Sequence, residues 1–157
     1  MISFVLATML AMQAVAPLQE DPVEPYEQSN ANAGARQFEG QDMFRSFHGK
    51  DGIARVVDGM VDRNIADPRI SDIFKGQDVV RLRRTLKEQF CYILNGGCDY
   101  SGREMKSSHK DLGLQAADFN ALVENLQASM RDEKVPYLAQ NRMLAKLAPM
   151  KRDTVDR

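Results

Sequence analysis

The sequence predicts a small all-α domain, and three observations support this fold class. The chain has 157 residues, which is enough for one domain of ordinary size. Stretches in which Val or Ile alternates with polar residues are scarce, so strand signals are weak. Apolar residues instead recur every three or four positions in several long segments, as on the buried face of a helix. A net charge of −1 argues against a protein dedicated to nucleic acid or to membrane surfaces.

The N-terminal part of the chain differs in composition from the rest and divides into two segments. Residues 1–16 are mostly apolar, match the length of a signal-peptide core and are too short to span a bilayer. We therefore expect export, to the periplasm, without stable membrane insertion after processing. A misassigned start or an uncleaved segment is the alternative, with a cytoplasmic protein if the segment is not a signal. Residues 17–42 are rich in Pro, Glu, Gln, Asn and Gly, which predicts a disordered linker before a folded domain at 43–157.

Two long helices are predicted in the first half of the domain. The first spans Gly52–Ala66, with Asp51 as N-cap, and Pro68 prevents its continuation. The second spans Asp78–Leu94 and ends before a Gly-Gly pair. A short turn between them presents Ile70, Ile73 and Phe74. The predicted buried stripes are Ile53, Val56, Val57, Met60 and Val61 in the first helix, and Val79, Leu82, Leu86, Phe90 and Ile93 in the second.

The second half contains two further predicted helices after a long irregular stretch. That stretch has one expected helical turn, at Glu104–His109, and loops of such length usually carry function. The third helix spans Ala116–Asp132, and the fourth runs from Pro136 to Met150 with a bend at Pro149. Their expected inward residues are Phe119, Leu122, Val123, Leu126 and Met130, then Leu138, Leu144 and Leu147. Four helices with a loose segment make a poor bundle, so the apolar faces need another group to pack on.

The irregular stretch holds one of the two histidines of the chain and one of its two cysteines. A lone His is more often a surface or satisfied buried residue than a ligand, although imidazole is the commonest metal ligand. Cys91 and Cys98 do not form a zinc pattern, because no CxxC occurs. If the protein is exported, a disulfide between them is expected; two reduced thiols are the alternative.

Several segments, in order, carry a more specific pattern. They are FHGKDGIARVVDGMVDRNIADPRI, IFKG, NGGCDYSGREMKSSHKDLGL and DFNALVENLQASMRDEKVP, and the third contains Tyr100-x-Gly102-x-x-Met105-Lys106-x-x-His109. From about Met43 to Val155 the chain thus resembles the group I truncated haemoglobins. The resemblance implies two helix pairs, crossed two-on-two, around haem b (iron protoporphyrin IX). It also implies that His109 is the proximal iron ligand, with its other ring nitrogen donating to a backbone carbonyl or a water.

The resemblance assigns further haem contacts. Phe74 would pack against the face of the ring, as well as being a core residue. Tyr100, Lys106 and Arg81 would lie at the porphyrin edge or the propionates, although a solvated Lys is an equally simple interpretation. The remaining expected contacts are Leu82, Leu86, Phe90, Met105, Leu114, Phe119, Leu122 and Val123.

The expected distal side departs from that of family members that bind dioxygen tightly. Their Tyr on the first long helix corresponds to Val61, and their Gln residues correspond to Leu82 and Leu86. Gln89 lies near the same helix face and either partly replaces them or is an exposed boundary residue. His48 stands where a Gly is common, and we expect it to be exposed and not a second iron ligand.

These features favour reversible binding of dioxygen, nitric oxide or carbon monoxide, including oxygen transport, with an unidentified reductase as partner. The alternative is a haem enzyme such as a nitric oxide dioxygenase or a peroxidase-like protein. Without a distal donor, bound dioxygen loses about 1–3 kcal/mol, and a peroxidase needs a distal acid or base. A helical interaction module without cofactor is a third possibility, which a haem absorbance spectrum distinguishes.

Overall fold

The computed structural model describes residues 19–155, and these residues form an all-α fold without strands. The candidate signal segment at 1–16 lies outside the described residues. The helices are α1 (Asp42–Ser46), α2 (Gly49–Ala66), α3 (Ser71–Phe74), α4 (Val79–Ile93), α5 (Met105–His109), α6 (Ala116–Asp132), α7 (Tyr137–Leu147) and α8 (Lys151–Thr154). Between residues 19 and 155, none of them is long and apolar enough to cross a membrane.

Helix α2 is the centre of the fold and packs against both α4 and α6. Its predicted stripe is confirmed, because Ile53, Val56, Val57, Met60 and Val61 are all buried. The crossing with α6 is close at Gly59, where an added Cβ would lie 3.2 Å from the Ser129 hydroxyl oxygen. A glycine at this position therefore allows the two backbones to approach.

The start of α2 differs from the prediction. The helix begins at Gly49 with His48 as N-cap, so Asp51 is a first-turn residue and not the cap. The reason is a left-handed turn at His48 and Gly49, whose φ angles are 59° and 69°. His48 tolerates this conformation beside Glu133, whose carboxylate lies 2.9 Å from the His48 Nδ1 atom. Asp51 still complements the positive end of the helix dipole.

The other long helices follow the prediction in type and nearly in extent. Helix α4 begins one residue after Asp78, whose carboxylate accepts a hydrogen bond from the backbone N–H of Arg81. Helix α6 has the predicted ends. Helix α7 ends at Leu147, and Pro149 lies in a following 3-10 turn. Leu138 was expected to face inward but is 72% exposed, because α7 buries the face that carries Ala139 and Met143.

Residues 19–41 are ordered, so the prediction of a disordered linker is wrong for this segment. It contains a 3-10 turn at Asn30–Ala33, and Ala33 is fully buried in the core. We call residues 19–41 the N-terminal strap. Hydrogen bonds to α4 and to the loop after it, in addition to apolar burial, offset the entropy lost on ordering the strap.

Cys91 and Cys98 form a disulfide, which confirms the first of the two alternatives. Cys91 is in the last turn of α4, and Cys98 is in the irregular stretch that leads to α5. The bond therefore fixes the beginning of this stretch to the end of α4.

Candidate functional site

The candidate site is centred on His109, the last residue of α5. Glu104 caps this short helix, because its carboxylate accepts a hydrogen bond from the backbone N–H of Ser107. The His109 Nδ1 atom lies 2.7 Å from the backbone carbonyl oxygen of Met105. A carbonyl oxygen can only accept, so Nδ1 carries the hydrogen and Nε2 of the neutral ring keeps its lone pair. This is the arrangement by which proteins prepare an imidazole for a metal.

Apolar side chains on three helices are only partly covered. They include Leu82 and Leu86 on α4, in contrast to the fully buried stripe of α2. The others are Phe119, Leu122 and Val123 on α6, and Leu144 and Leu147 on α7. Apolar surface left accessible in this way suits a large apolar ligand, since burying it is favourable.

The expected apolar haem contacts fall into two groups. Phe74, Leu114 and Phe119 are partly buried, as are Leu82, Leu86 and Leu122. Phe90 is 2% exposed and Met105 is 8% exposed, and both belong to the protein core. Leu82, Leu86 and Leu122 of the first group pack against the core that contains the second group. The two groups are therefore neighbours in the fold, as contacts of one haem would be.

The polar residues expected at the porphyrin edge have different surroundings. Arg81 forms an ion pair with Glu20 of the strap and lies near the carboxylate of Asp78. Tyr100 is buried, its hydroxyl donates to the carbonyl oxygen of Arg103, and burial raises its pKa to about 12. Lys106 is exposed on α5. The strap thus engages Arg81, whose partner the sequence analysis expected to be a propionate.

Most of the residues expected on the distal side are apolar. Val61 is fully buried, and Leu82 and Leu86 lie at the margin of the core. Gln89 is buried, so the expectation of an exposed boundary residue is wrong. Its side-chain N–H group donates to the carbonyl oxygen of Ala33 at 2.8 Å, and the same nitrogen lies 3.5 Å from the Met105 sulfur. The Gln89 amide nitrogen, which carries two hydrogens, is therefore directed toward the Ala33 carbonyl of the strap and the sulfurs of Met105 and Met150.

His48 is exposed, as expected, with 45% of its side chain accessible. Its partner Glu133 also binds Arg55, and this bond with Arg55 is the main cause of the lowered pKa of Glu133, about 2. The strap residues that contact the candidate site were not predicted from the sequence. Their contacts join backbone carbonyls to side-chain hydroxyl and amide groups, which produce no periodic signal along the sequence.

A long central helix crossed by two others, with a His on a short intervening helix, defines a two-on-two helical globin. The structure aligns with a truncated haemoglobin from Tetrahymena pyriformis in its Fe(III) form, with a TM-score of 0.70 and 23% identity. It aligns similarly with a 2/2 haemoglobin from Synechococcus sp., with a TM-score of 0.68 and 21% identity. Both alignments cover 73% of this chain and 98% of the other, and they support the fold alone.

Sequence comparison identifies the family. The family model described as bacterial-like globin matches residues 42–156, so the chain belongs to the bacterial-like globin family, which implies a haem cofactor. A group 1 truncated haemoglobin of Synechocystis sp. is 28% identical over 120 residues, covering 73% of this chain and 97% of the relative. Another, from Nostoc commune, is 31% identical over 88 residues, covering 56% of this chain and 75% of the relative.

Proposed function

We propose that this chain holds haem b through Nε2 of His109 and reversibly binds dioxygen, nitric oxide or carbon monoxide. The observation that carries this proposal is the hydrogen bond between His109 Nδ1 and the Met105 carbonyl oxygen. It orients the ring, selects the tautomer with a bare Nε2, and increases the basicity of that nitrogen. A single imidazole suits a metal whose other ligands come from a macrocycle, as in haem.

The partly covered apolar residues support the same proposal. Leu82 and Leu86 of α4, with Leu122 of α6, provide apolar surface of the kind that a porphyrin buries. Haem held by His109 would supply an iron centre able to take a diatomic gas. Lys106 is exposed and remains the candidate partner of a propionate, because Arg81 already pairs with Glu20.

The surroundings of Gln89 favour gas binding over the enzyme alternative. A nitric oxide dioxygenase needs dioxygen to persist, which a hydrogen-bond donor promotes by about 1–3 kcal/mol. Val61, Leu82 and Leu86 offer no donor, and the Gln89 amide nitrogen donates to the Ala33 carbonyl and faces the sulfurs of Met105 and Met150. An unidentified reductase that keeps the iron ferrous is part of the proposal.

The test is a titration of the full-length protein with haemin, followed by absorbance spectra of the ferric, ferrous, carbonyl and oxy forms. We expect an intense Soret band at one haem per chain and spectral changes that reverse when each gas is removed. Failure of haemin to bind with this stoichiometry, or a ferrous form that binds none of the three gases reversibly, would reject the function.

We also propose that the protein is exported to the periplasm. The Cys91–Cys98 disulfide supports this, because structural disulfides persist in oxidising compartments. Intact mass of the native protein tests both features. We expect a mature chain that lacks the first 14 to 20 residues and gains two alkyl groups only after reduction; full-length chain with free thiols contradicts export.

A further inference from the structure

We propose that the N-terminal strap, residues 19–41, positions the proximal histidine by fixing the loop that leads into α5. The inference rests on the proposed role of His109 as the haem ligand. The strap lies before residue 42, where the match to the bacterial-like globin family begins. Its role is therefore a property of this chain that the family match does not assign.

The strap forms a hydrogen bond with each of the five residues from Asp99 to Arg103. These residues immediately precede Glu104, the N-cap of α5. Five consecutive contacts leave the loop little freedom to rotate. The bonds join Asn30 Nδ2 to Asp99 Oδ1 (2.9 Å), the Tyr100 N–H to Asn30 Oδ1 (2.7 Å), the Tyr26 hydroxyl to the Ser101 carbonyl (2.7 Å), Asn32 Nδ2 to the Gly102 carbonyl (3.3 Å), and Arg103 Nη2 to the Glu24 carbonyl (3.0 Å).

The strap also contacts the first residue of α5. Met105 is the only buried residue of this helix, and its backbone carbonyl accepts the His109 hydrogen bond. An added Cβ at Gly34 of the strap would lie 2.8 Å from Met105 Cγ, so the two are in tight contact. Gln89 joins them from α4, since its amide nitrogen contacts both the Ala33 carbonyl and the Met105 sulfur.

Helix α5 depends on such support because it is short. It has five residues, and Lys106, Ser107 and Ser108 are exposed. A single helical turn is not stable on its own, so its direction is set by the residues before it and by packing of Met105. A shift of the loop would therefore move the Met105 carbonyl and rotate the His109 ring.

The strap itself is anchored at both ends. At its start, Glu20 pairs with Arg81 and Arg84 of α4. At its end, the Asn95 side-chain amide donates to the Gly40 carbonyl at 3.1 Å, and Phe38 packs beneath the Lys146 ammonium group. Because both ends of the strap are held by the rest of the fold, its middle part can hold the loop at residues 99–103 in one position.

The test compares Tyr26→Phe/Asn30→Ala with a matched control, Tyr137→Phe/Asn141→Ala. The first pair removes three of the five loop contacts, whereas the control changes exposed residues of α7. Full-length proteins are loaded with haemin, and three quantities are measured. They are the rate of haem loss to an excess of an acceptor apoprotein, the iron–histidine vibration of the ferrous form, and amide hydrogen exchange over residues 99–109.

We expect about tenfold faster haem loss, faster exchange at residues 99–109 and a shifted or broadened iron–histidine band in the strap variant. Tyr26→Phe alone removes one bond without deleting the ring, and we expect about a threefold effect from it. Equal haem loss and an unchanged band in the strap variants and the control would overturn the strap's role alone. Wild-type protein that fails to bind haemin would overturn the proposed function as well.

Discussion

At the scale of single residues, the backbone carbonyl of Met105 determines which nitrogen of His109 can bind a metal. The 2.7 Å hydrogen bond uses Nδ1 and leaves Nε2 free. The resemblance to the truncated haemoglobins pointed to His109 and to a carbonyl or water partner, but not to which one. The partner depends on the direction of a one-turn helix, which no sequence pattern encodes.

Leu86 provides the clearest test of the apolar distal side. It is partly buried, so Leu86→Gln can place a donor with little overpacking, whereas Val61→Tyr would enlarge a fully buried residue. Dioxygen becomes more polarised than carbon monoxide when bound, so we expect dioxygen release to slow by about 5- to 150-fold and carbon monoxide release to change little. Stopped-flow dissociation of each gas measures both rates.

Leu86→Met is the matched control, because it keeps the volume of the side chain without adding a donor. Its dioxygen release should stay close to that of the wild type. Slow dioxygen release from the wild-type protein, unchanged by Leu86→Gln, would contradict an apolar distal side.

At the scale of helices and loops, the disulfide is the feature with the most direct energetic consequence. Cys91 and Cys98 are seven residues apart, and closing such a loop stabilises the folded state by about 2–3 kcal/mol in the chain-entropy model. We therefore expect Cys91→Ser/Cys98→Ser to lower the free energy of unfolding by about this amount. Urea denaturation of both proteins, with and without a reductant, measures it.

The reductant serves as the internal control for this prediction. It should destabilise the wild-type protein and leave the double variant unchanged. A wild-type protein whose unfolding free energy is insensitive to full reduction of the bond would show that the disulfide contributes nothing.

The long helices were predictable from sequence because each has an apolar stripe and identifiable ends. The extent of α6 was predicted from its periodicity and is confirmed, and α4 begins within one residue of the predicted start. The strap was not predictable in the same way. Its Pro-, Asn- and Glu-rich composition indicates a high ordering cost, whereas burial of Ala33 and polar contacts with a distant loop hold it in place. Such contacts leave no period in the sequence.

Across the whole molecule, two carboxylates give the fold a defined response to acid. The pKa of Glu20 is lowered to about 2, mainly by its hydrogen bond with Arg84, and the pKa of Glu133 is lowered to about 2, mainly by Arg55. A carboxylate with a depressed folded-state pKa stabilises the fold fully above its unfolded-state pKa, about 4.5. This contribution is lost as the pH falls from about 4.5 toward 2.

We expect the free energy of unfolding to decrease over this pH range, and to decrease less in Glu20→Gln/Glu133→Gln. As the pH falls, the unfolded wild-type chain binds protons at these two carboxylates before the folded chain does, which favours unfolding. The Gln side chains bind no protons, so this part of the pH dependence is absent from the double variant. Glu27→Gln changes an exposed glutamate of the strap and is the control. Urea denaturation at several pH values measures the effect, and identical pH dependence in the double variant and the wild type would contradict it.

Replacement of the expected proximal ligand, His109→Gly, followed by addition of free imidazole, tests the role of His109 most directly. We expect the variant to retain haem poorly and to lack the five-coordinate ferrous spectrum of the wild type. Free imidazole should restore that spectrum, because it supplies the missing nitrogen to the same position. A His109→Gly variant with wild-type haem retention and wild-type spectra would contradict the assignment of His109 as the iron ligand.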